Sequence, residues 1–359
     1  MRRAALALAL IAGCGVRSGV DVDTPEREDS GRARRDAGGF DAGLPFDTFP
    51  CRWSLGPITE LASADVVCDV GGTASAEREQ ALVWWSAGTC EGEGRRAAVV
   101  SLAADRAIIA EAAVPVGDRR DCGVTGATTG SGWVMASCDE VARTAVDLSV
   151  PLAIDVPLVG IVASRMERDL LLGATREGDA YAAYSLSAER VLGSTLSPPR
   201  VGDRRDVLWM GASGGEAFWR EDGGALRTLP LEGDVLGFVA DLLRPGLVVV
   251  LGAATAPVLV RIDAAEPALR AHSLGVVDAR GEVTDVAGNE TEVLLVGRDG
   301  VMYAMPTPGG RVHALTFSDA PVRTARFALQ PGTSVGGIVW IEETPIGGRV
   351  RFGPLICNR

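Results

Sequence analysis

An all-β fold is what this sequence predicts, and three observations predict it. Apolar triplets closing on glycine recur: Leu170-Leu-Leu-Gly173, Leu208-Trp-Met-Gly211, Val249-Val-Leu-Gly252 and Leu294-Leu-Val-Gly297. Each is followed, across a turn rich in Gly, Asp, Thr or Pro, by a second short apolar run: Tyr181-Ala-Ala-Tyr184, Ala217-Phe-Trp219, Val258-Leu-Val260 and Val301-Met-Tyr303. Long amphipathic helical patterns are missing, which disfavours an α/β fold with crossover helices. Weaker copies at Leu82-Val-Trp-Trp85, Trp133-Val-Met135 and Ile338-Val-Trp-Ile341 bring the anchors to seven, about 37 to 50 residues apart. That period matches one four-stranded blade per repeat, so the architecture is a β-propeller, with seven blades as the expected number. The long first interval leaves six or eight as the alternatives.

Before the ring comes a segment of another kind. Arg2 and Arg3 precede an acid-free apolar run over residues 4–12, the layout of an export signal. The run is about half of the ~20 residues a membrane-spanning helix needs. Ile11-Ala12-Gly13-Cys14 resembles the lipobox of bacterial lipoproteins, in which the Cys sulfur receives a diacylglycerol and the signal is removed. The resemblance implies a signal peptide over 1–13, lipid attachment at Cys14, and a chain held to a membrane through acyl chains at about 0.8 kcal/mol per buried methylene. Gly15 in place of an inner-membrane retention Asp implies the outer membrane of a bacterial cell envelope. Residues 14–50 are then the lipidated Cys and a tether, rich in Gly, Asp and Arg and without hydrophobic periodicity. Residues 51–359 form the propeller domain.

The third repeat shows how a blade reads: strands at Leu158-Val-Gly-Ile-Val162, Leu170-Leu-Leu172, Ala180-Tyr-Ala-Ala-Tyr184 and Arg190-Val-Leu192, then the breaker Pro198-Pro199. Residues 246–260, uncharged but interrupted by Gly252 and Pro257, read as two core strands and a turn. The last repeat has strands over 336–341 and 349–356 and too little chain left for an outermost one. Cys51-Arg-Trp-Ser-Leu-Gly-Pro57 supplies it, so that the terminal strands pair and close the ring. With Cys14 lipidated, six cysteines remain, an even number in an exported chain. Of the connectivities open to six cysteines, the favoured one joins Cys51 with Cys357 across the closure, Cys68 with Cys90, and Cys122 with Cys138. Metal ligation is disfavoured because no pair has the C-x2-C spacing.

Composition excludes several classes of function. All 35 basic residues are Arg, which removes a P-loop Lys, a Schiff-base Lys and a Ser-Lys dyad together. The net charge of −12 and the lack of a basic stripe argue against a nucleic-acid partner. The hydrophobic fraction of 47% suffices for a packed domain of about 310 residues. Val296-Gly-Arg-Asp299-Gly-Val-Met-Tyr303-Ala-Met305 resembles a blade of quinoprotein-type propellers, whose repeats carry Gly-x-Asp-Gly-x-x-Tyr-Ala-Leu. That family includes quinone-dependent dehydrogenases and non-enzymatic outer-membrane assembly lipoproteins. The resemblance rests on one repeat and carries over fold and envelope location but no cofactor.

Four patterns in the sequence bear on chemistry. Gly211-Ala-Ser213-Gly-Gly215 has the spacing of a nucleophile elbow, but a strand rather than a helix follows it. His272 and His313, the only histidines, fall on fourth strands, too far out on a blade to serve as its base or as metal ligands. The Gly and Thr stretch 123–132 lacks a phosphate-binding Lys and reads as a surface hairpin. Trp84, Trp85, Trp133, Trp209 and Trp340 lie on anchor strands and read as core. What remains is a set of acids on the loops between second and third strands, which share one face of a propeller: Glu91, Glu93, Asp139, Glu140, Glu177, Asp179, Glu216, Asp299 and Glu342. Together they suit a cation or a basic partner segment. The expected function is a non-enzymatic, envelope-anchored binding or scaffold module for another envelope protein or small ligand. A hydrolase or lyase using the loop carboxylates is the alternative.

Overall fold

A computed structural model describes residues 50–358 except 89–94, 104–106, 117–123, 130, 138–139, 157–162, 168–169, 175–180, 187–189, 196–206, 214, 222–223, 242–243, 254, 290, 308 and 331. For 163–167, 170–174, 181–183, 190–195, 207–209, 211 and 213 it describes the backbone alone. The described residues contain no helix and form seven antiparallel sheets that succeed one another along the chain.

The chain enters through β1 (Arg52–Leu55) and β2 (Thr59–Ala64). The first complete sheet is β3 (Val67–Ser75), β4 (Gln80–Ala87), β5 (Arg95–Ser101) and β6 (Ile108–Ala113). The next is β7 (Thr125–Thr129), β8 (Gly132–Ser137), β9 (Glu140–Ala145) and β10 (Leu152–Ala153). It is followed by β11 (Ala163–Glu167), β12 (Leu170–Ala174), β13 (Tyr181–Ser185) and β14 (Arg190–Thr195). A three-stranded sheet holds β15 (Val207–Ser213), β16 (Glu216–Glu221) and β17 (Arg227–Pro230). Then come β18 (Val235–Ala240), β19 (Gly246–Leu251), β20 (Val258–Asp263) and β21 (Arg270–Val276). The penultimate sheet is β22 (Val283–Gly288), β23 (Glu292–Gly297), β24 (Val301–Pro306) and β25 (His313–Thr316). The last sheet joins β26 (Val322–Leu329), β27 (Gly336–Thr344) and β28 (Gly347–Asn358) to the two entry strands.

Every sheet is a meander, and first strands of neighbouring sheets touch: β3 with β7, β7 with β11, β18 with β22, β22 with β26, and, across the chain ends, β26 with β3. A succession of meanders whose inner strands meet, and whose last meets its first, is a ring. All the anchor triplets fall on strands. They lie on β4, β8, β12, β19, β23 and β27, each second in its sheet, and on β15. Of these, β8, β19 and β23 are buried along their whole length. Two sheets pack on each other through such faces. Leu294, Val296, Met302 and Ala304 of one meet Ala325, Phe327, Ile338 and Trp340 of the next. Phe317 sets its ring edge-on against Trp340 at 5.2 Å. Burying each large apolar side chain is worth about 1.5–3 kcal/mol, so these seams hold the ring together. Trp84, Trp85, Trp133 and Trp340 are all buried, as expected; the side chain of Trp209 lies outside the described residues.

Closure follows the predicted pairing and extends it. β1 pairs antiparallel with the end of β28, Trp53 opposite Cys357, and Cys51 is disulfide-bonded to Cys357. Gly56 and Pro57 interrupt this outer strand, as Pro can on an edge. The chain then resumes as β2, which pairs with the first half of β28 from Thr59 opposite Phe352 to Ala64 opposite Gly348. β28 is long enough to carry both. Cys68 is disulfide-bonded as well. The cysteines expected to pair among themselves and with it, Cys90, Cys122 and Cys138, lie outside the described residues.

In the third repeat the first described strand is Ala163–Glu167, with Glu167 opposite Leu170; the strand expected at Leu158–Val162 lies outside the described residues. One expectation is corrected. The Gly and Thr stretch is a hairpin, but its first arm is the inner strand β7 and not a surface feature. Small residues are needed there because a Cβ on Gly126 would stand 3.1 Å from the Trp84 indole of the preceding sheet.

A repeat invisible in the anchors emerges at the inner strands. A one-residue register shift follows Val67, Val235, Val283 and Val322 near the start of β3, β18, β22 and β26, and Val207 in β15. The residues bulged out of the first four include Thr284 and Arg323, and both bond to the sheet that comes next around the ring. Thr284 Oγ1 donates to the Ala325 carbonyl at 2.8 Å, and Arg323 Nη1 to the Val67 carbonyl at 2.8 Å.

Candidate functional site

Strand alternation sorts the connections onto two faces. Links from second to third strand, and from one sheet to the next, share one face; the remaining links share the other. Of the acids predicted to form a site, Glu140 opens β9, Glu216 opens β16, Asp299 lies in the turn between β23 and β24, and Glu342 stands near the end of β27. These four therefore come to one face. Glu91, Glu93, Asp139, Glu177 and Asp179 lie outside the described residues.

The four carboxylates are not equivalent. Asp299 is engaged within its own blade: Oδ1 accepts the Val301 N–H at 3.2 Å, and Oδ2 accepts the Tyr303 hydroxyl at 2.5 Å. The same hydroxyl accepts the Arg280 N–H at 3.1 Å. Burial, then the Asp299 carboxylate, pushes the Tyr303 pKa up to about 12. This is the physical content of the Asp-Gly-x-x-Tyr pattern: the Asp closes the tight turn and holds the Tyr four residues on. Glu342 is likewise occupied, accepting Trp340 Nε1 and Ser318 Oγ at 3.2 Å each and pairing with Arg351 Nε at 2.7 Å. Glu216 and Glu140 are exposed.

Sheet-to-sheet connections add further exposed acids to this face: Asp65, Glu232, Asp278 and Asp319. Among the described residues, neither these nor Glu216 make an ion pair, whereas the basic Arg298 and Arg323 are matched by Glu282 and Glu343. The face therefore carries a surplus of solvated negative charge.

The opposite face holds a polar cluster that sequence reasoning missed. Glu292, fully buried at 0% exposure, opens β23. Its Oε2 accepts the Cys51 N–H at 3.2 Å, Trp53 Nε1 at 3.0 Å and Asn289 Nδ2 at 3.2 Å. Asn289 returns Oδ1 to the N–H groups of Thr291 and Glu292 at 2.8 and 2.7 Å, and its Nδ2 also reaches Ser334 Oγ at 3.2 Å. The signal that could have found it is a Glu at a strand position where the preceding sheet has Gly246: Val293 opposite Gly288 corresponds to Leu247 opposite Ala240. Beside the cluster, Cys51, Arg52, Trp53, Met302, His313, Ala314 and Leu315 line a cleft of about 190 Å3 between β1 and β25.

Other motifs resolve into scaffold. Gly211 to Gly215 forms a strand, a turn with Gly215 at φ +82°, and another strand. His272 and His313 are exposed on the fourth strands β21 and β25. Among the described residues no group of three or more His, Cys, Asp or Glu could hold a metal ion. No helix among them is long and apolar enough to cross a membrane.

No protein-family model matches the chain, and no curated protein matches it. Among solved structures it is similar to the Myceliophteria thermophila Cps50 (Swd1) β-propeller domain, with a TM-score of 0.53 at 8% identity over 84% of this chain and 99% of that one. The fold is a β-propeller. At that identity the similarity extends to architecture alone, and the propeller's binding chemistry must be argued from its own two faces.

Proposed function

We propose that this propeller is a non-enzymatic binding or scaffold module, held to the bacterial envelope through lipid on Cys14, and that it meets its partner with the acid-bearing face. The supporting observation is the point of chain entry. Cys51 is fixed by Cys357 and Glu292 on the face opposite Glu216, Asp278 and Asp319. Residues 15–50 join Cys14 to the domain at that point, and an unstructured linker of that length would reach roughly 30 Å, enough to keep the opposite face clear of a lipid surface. Carboxylates without an ion-pair partner among the described residues, on a protein of net charge −12, favour a partner presenting Arg or Lys, whose encounter they would accelerate. Each blade is taken as one of the seven sheets, and the outer membrane as the site of anchoring.

A photoreactive residue placed at Glu216 or Asp278, irradiated in intact cells, tests the reading. One reproducible envelope protein captured from both positions, and released by raised salt before irradiation, is the expected result. No protein adduct from either position would overturn it. Labelling with palmitate that disappears in Cys14→Ser tests the anchor separately.

A further inference from the structure

The face opposite the acids carries a concave site of the other sign, the cleft between β1 and β25. Trp53, Met302 and Leu315 give it apolar walls, and Arg52 and His313 line it from exposed positions on the two strands. Charge sets it apart. Exposed arginines elsewhere are matched: Arg96 by Glu111, Arg270 by Glu266, Arg298 by Glu282 and Arg323 by Glu343. Arg52 and His313 have no ion-pair partner among the described residues, and neither has Arg311, exposed two residues before His313. In a protein of net charge −12 this leaves a small basic rim around an apolar hollow.

We propose that the cleft binds a small organic monocarboxylate, with the carboxylate between Arg52 and His313 and one ring or short branched chain against Trp53, Met302 and Leu315. Volume sets the size. About 190 Å3 equals the liquid volume of roughly six waters and falls below the roughly 300–1,000 Å3 of sites for drug-sized ligands. The rim sets the charge, because a guanidinium fork matches a carboxylate and charge-assisted hydrogen bonds are the stronger ones. The walls are fixed beforehand: Glu292 holds Trp53 Nε1 at 3.0 Å, and Cys51 is bonded to Cys357, so binding orders little. The Glu292 carboxylate stands on the buried side of these walls, its Oε2 shared by the Cys51, Trp53 and Asn289 donors, and leaves the rim charges to the ligand. This site and the acid-bearing face stand or fall separately.

Benzoate, phenylacetate and isovalerate, each beside its neutral amide, are titrated into the full oxidised chain carrying 13C-methyl methionine. The Met302 methyl resonance, assigned by its loss in Met302→Leu, is expected to shift with at least one acid at a Kd of about 1 mM or tighter, a strength open to ligands of about ten non-hydrogen atoms. Met210, buried in another blade, should not move. The amide of that acid is expected to bind at least fivefold more weakly. Arg52→Gln with His313→Gln, both at exposed positions, should weaken the acid at least fivefold, with the intact Cys51–Cys357 bond confirming that the ring is closed. No Met302 shift with any of the three acids at about 20 mM would overturn the proposal. So would equal binding of acid and amide, or of one acid to wild type and double variant.

Discussion

Glu292 accepts the backbone N–H of Cys51 at 3.2 Å across 241 residues of sequence. The first opens the second strand of the penultimate blade; the second stands at the head of the outer strand that the N-terminus lends to the last blade. The ring is therefore closed twice at one point, by a covalent bond to Cys357 within the blade and by a buried carboxylate reaching in from its neighbour. Trp53 adds a third tie from the same strand.

Removing the covalent tie should weaken the ring without abolishing it. In the chain-entropy picture, joining residues with a separation of 306 is worth about 6 kcal/mol as an upper bound. Cys51→Ala with Cys357→Ala is expected to lower stability by about 2–5 kcal/mol. Thermal unfolding followed by circular dichroism under oxidising conditions reads the shift. An unchanged midpoint would mean that hydrogen bonding along β28 closes the ring alone.

Glu292 should be more sensitive to truncation than to neutralisation. Glu292→Ala takes the acceptor from the Cys51 N–H and the Trp53 indole N–H and leaves Asn289 Nδ2 with Ser334 Oγ alone, and is expected to cost about 3 kcal/mol or more. Glu292→Gln keeps an acceptor oxygen and the side-chain volume and should cost about 1–2 kcal/mol, the difference between a charged and a neutral acceptor. Urea denaturation of the two variants beside wild type separates these costs.

The Tyr303 hydroxyl gives the fold a stability term that fails in alkali. Its pKa is raised in the folded chain to about 12, above the ordinary value near 10. The neutral form is thus the one the fold favours, so the contribution is fully present below pH ~10 and is lost as pH rises through about 12. Wild type should lose stability between pH 9 and 11.5 more steeply than Tyr303→Phe. At pH 7 that variant should be weaker by about 1 kcal/mol through loss of the Asp299 bond. Parallel denaturation curves at pH 7, 9 and 11.5 check both statements.

How much of this was legible beforehand depends on whether the information is local. The second strands were found because their apolar triplets must be buried on both faces, and burial writes itself into composition. The terminal closure was found because the last repeat lacks an outer strand and the first residues of the domain can supply one. β2 was not found, since nothing in Thr59–Ala64 distinguishes it from a linker until β28 is seen to extend beyond β1. The inner-strand bulge after Val67, Val235, Val283 and Val322 escaped because the bulged residue varies from Cys68 to Arg323. Only the shift in pairing repeats. Site acids were legible as a class but not individually: Asp299 and Glu342 look like Glu216 in the sequence, and only the structure shows that Tyr303, Trp340, Ser318 and Arg351 engage the first two.

Where inner strands converge, side-chain volume is the limit, and Gly72 is the sharpest case. A Cβ there would stand 2.5 Å from the Ala328 Cβ on the first strand of the neighbouring blade and 2.9 Å from the Leu82 carbonyl oxygen. Both neighbours are fully buried and cannot swing away. Gly72→Ala is therefore expected to destabilise the ring by about 1–3 kcal/mol, the usual cost of overpacking. Ala328→Gly in the same chain removes the closer clash but leaves the Leu82 carbonyl in place, so the double variant should recover part of the loss. A double-mutant cycle in urea reads this as a favourable coupling of at least 0.5 kcal/mol, the lower end for residues in contact. Additive losses would place the two strands farther apart than the ring described here, because atoms not in contact have no clash to relieve.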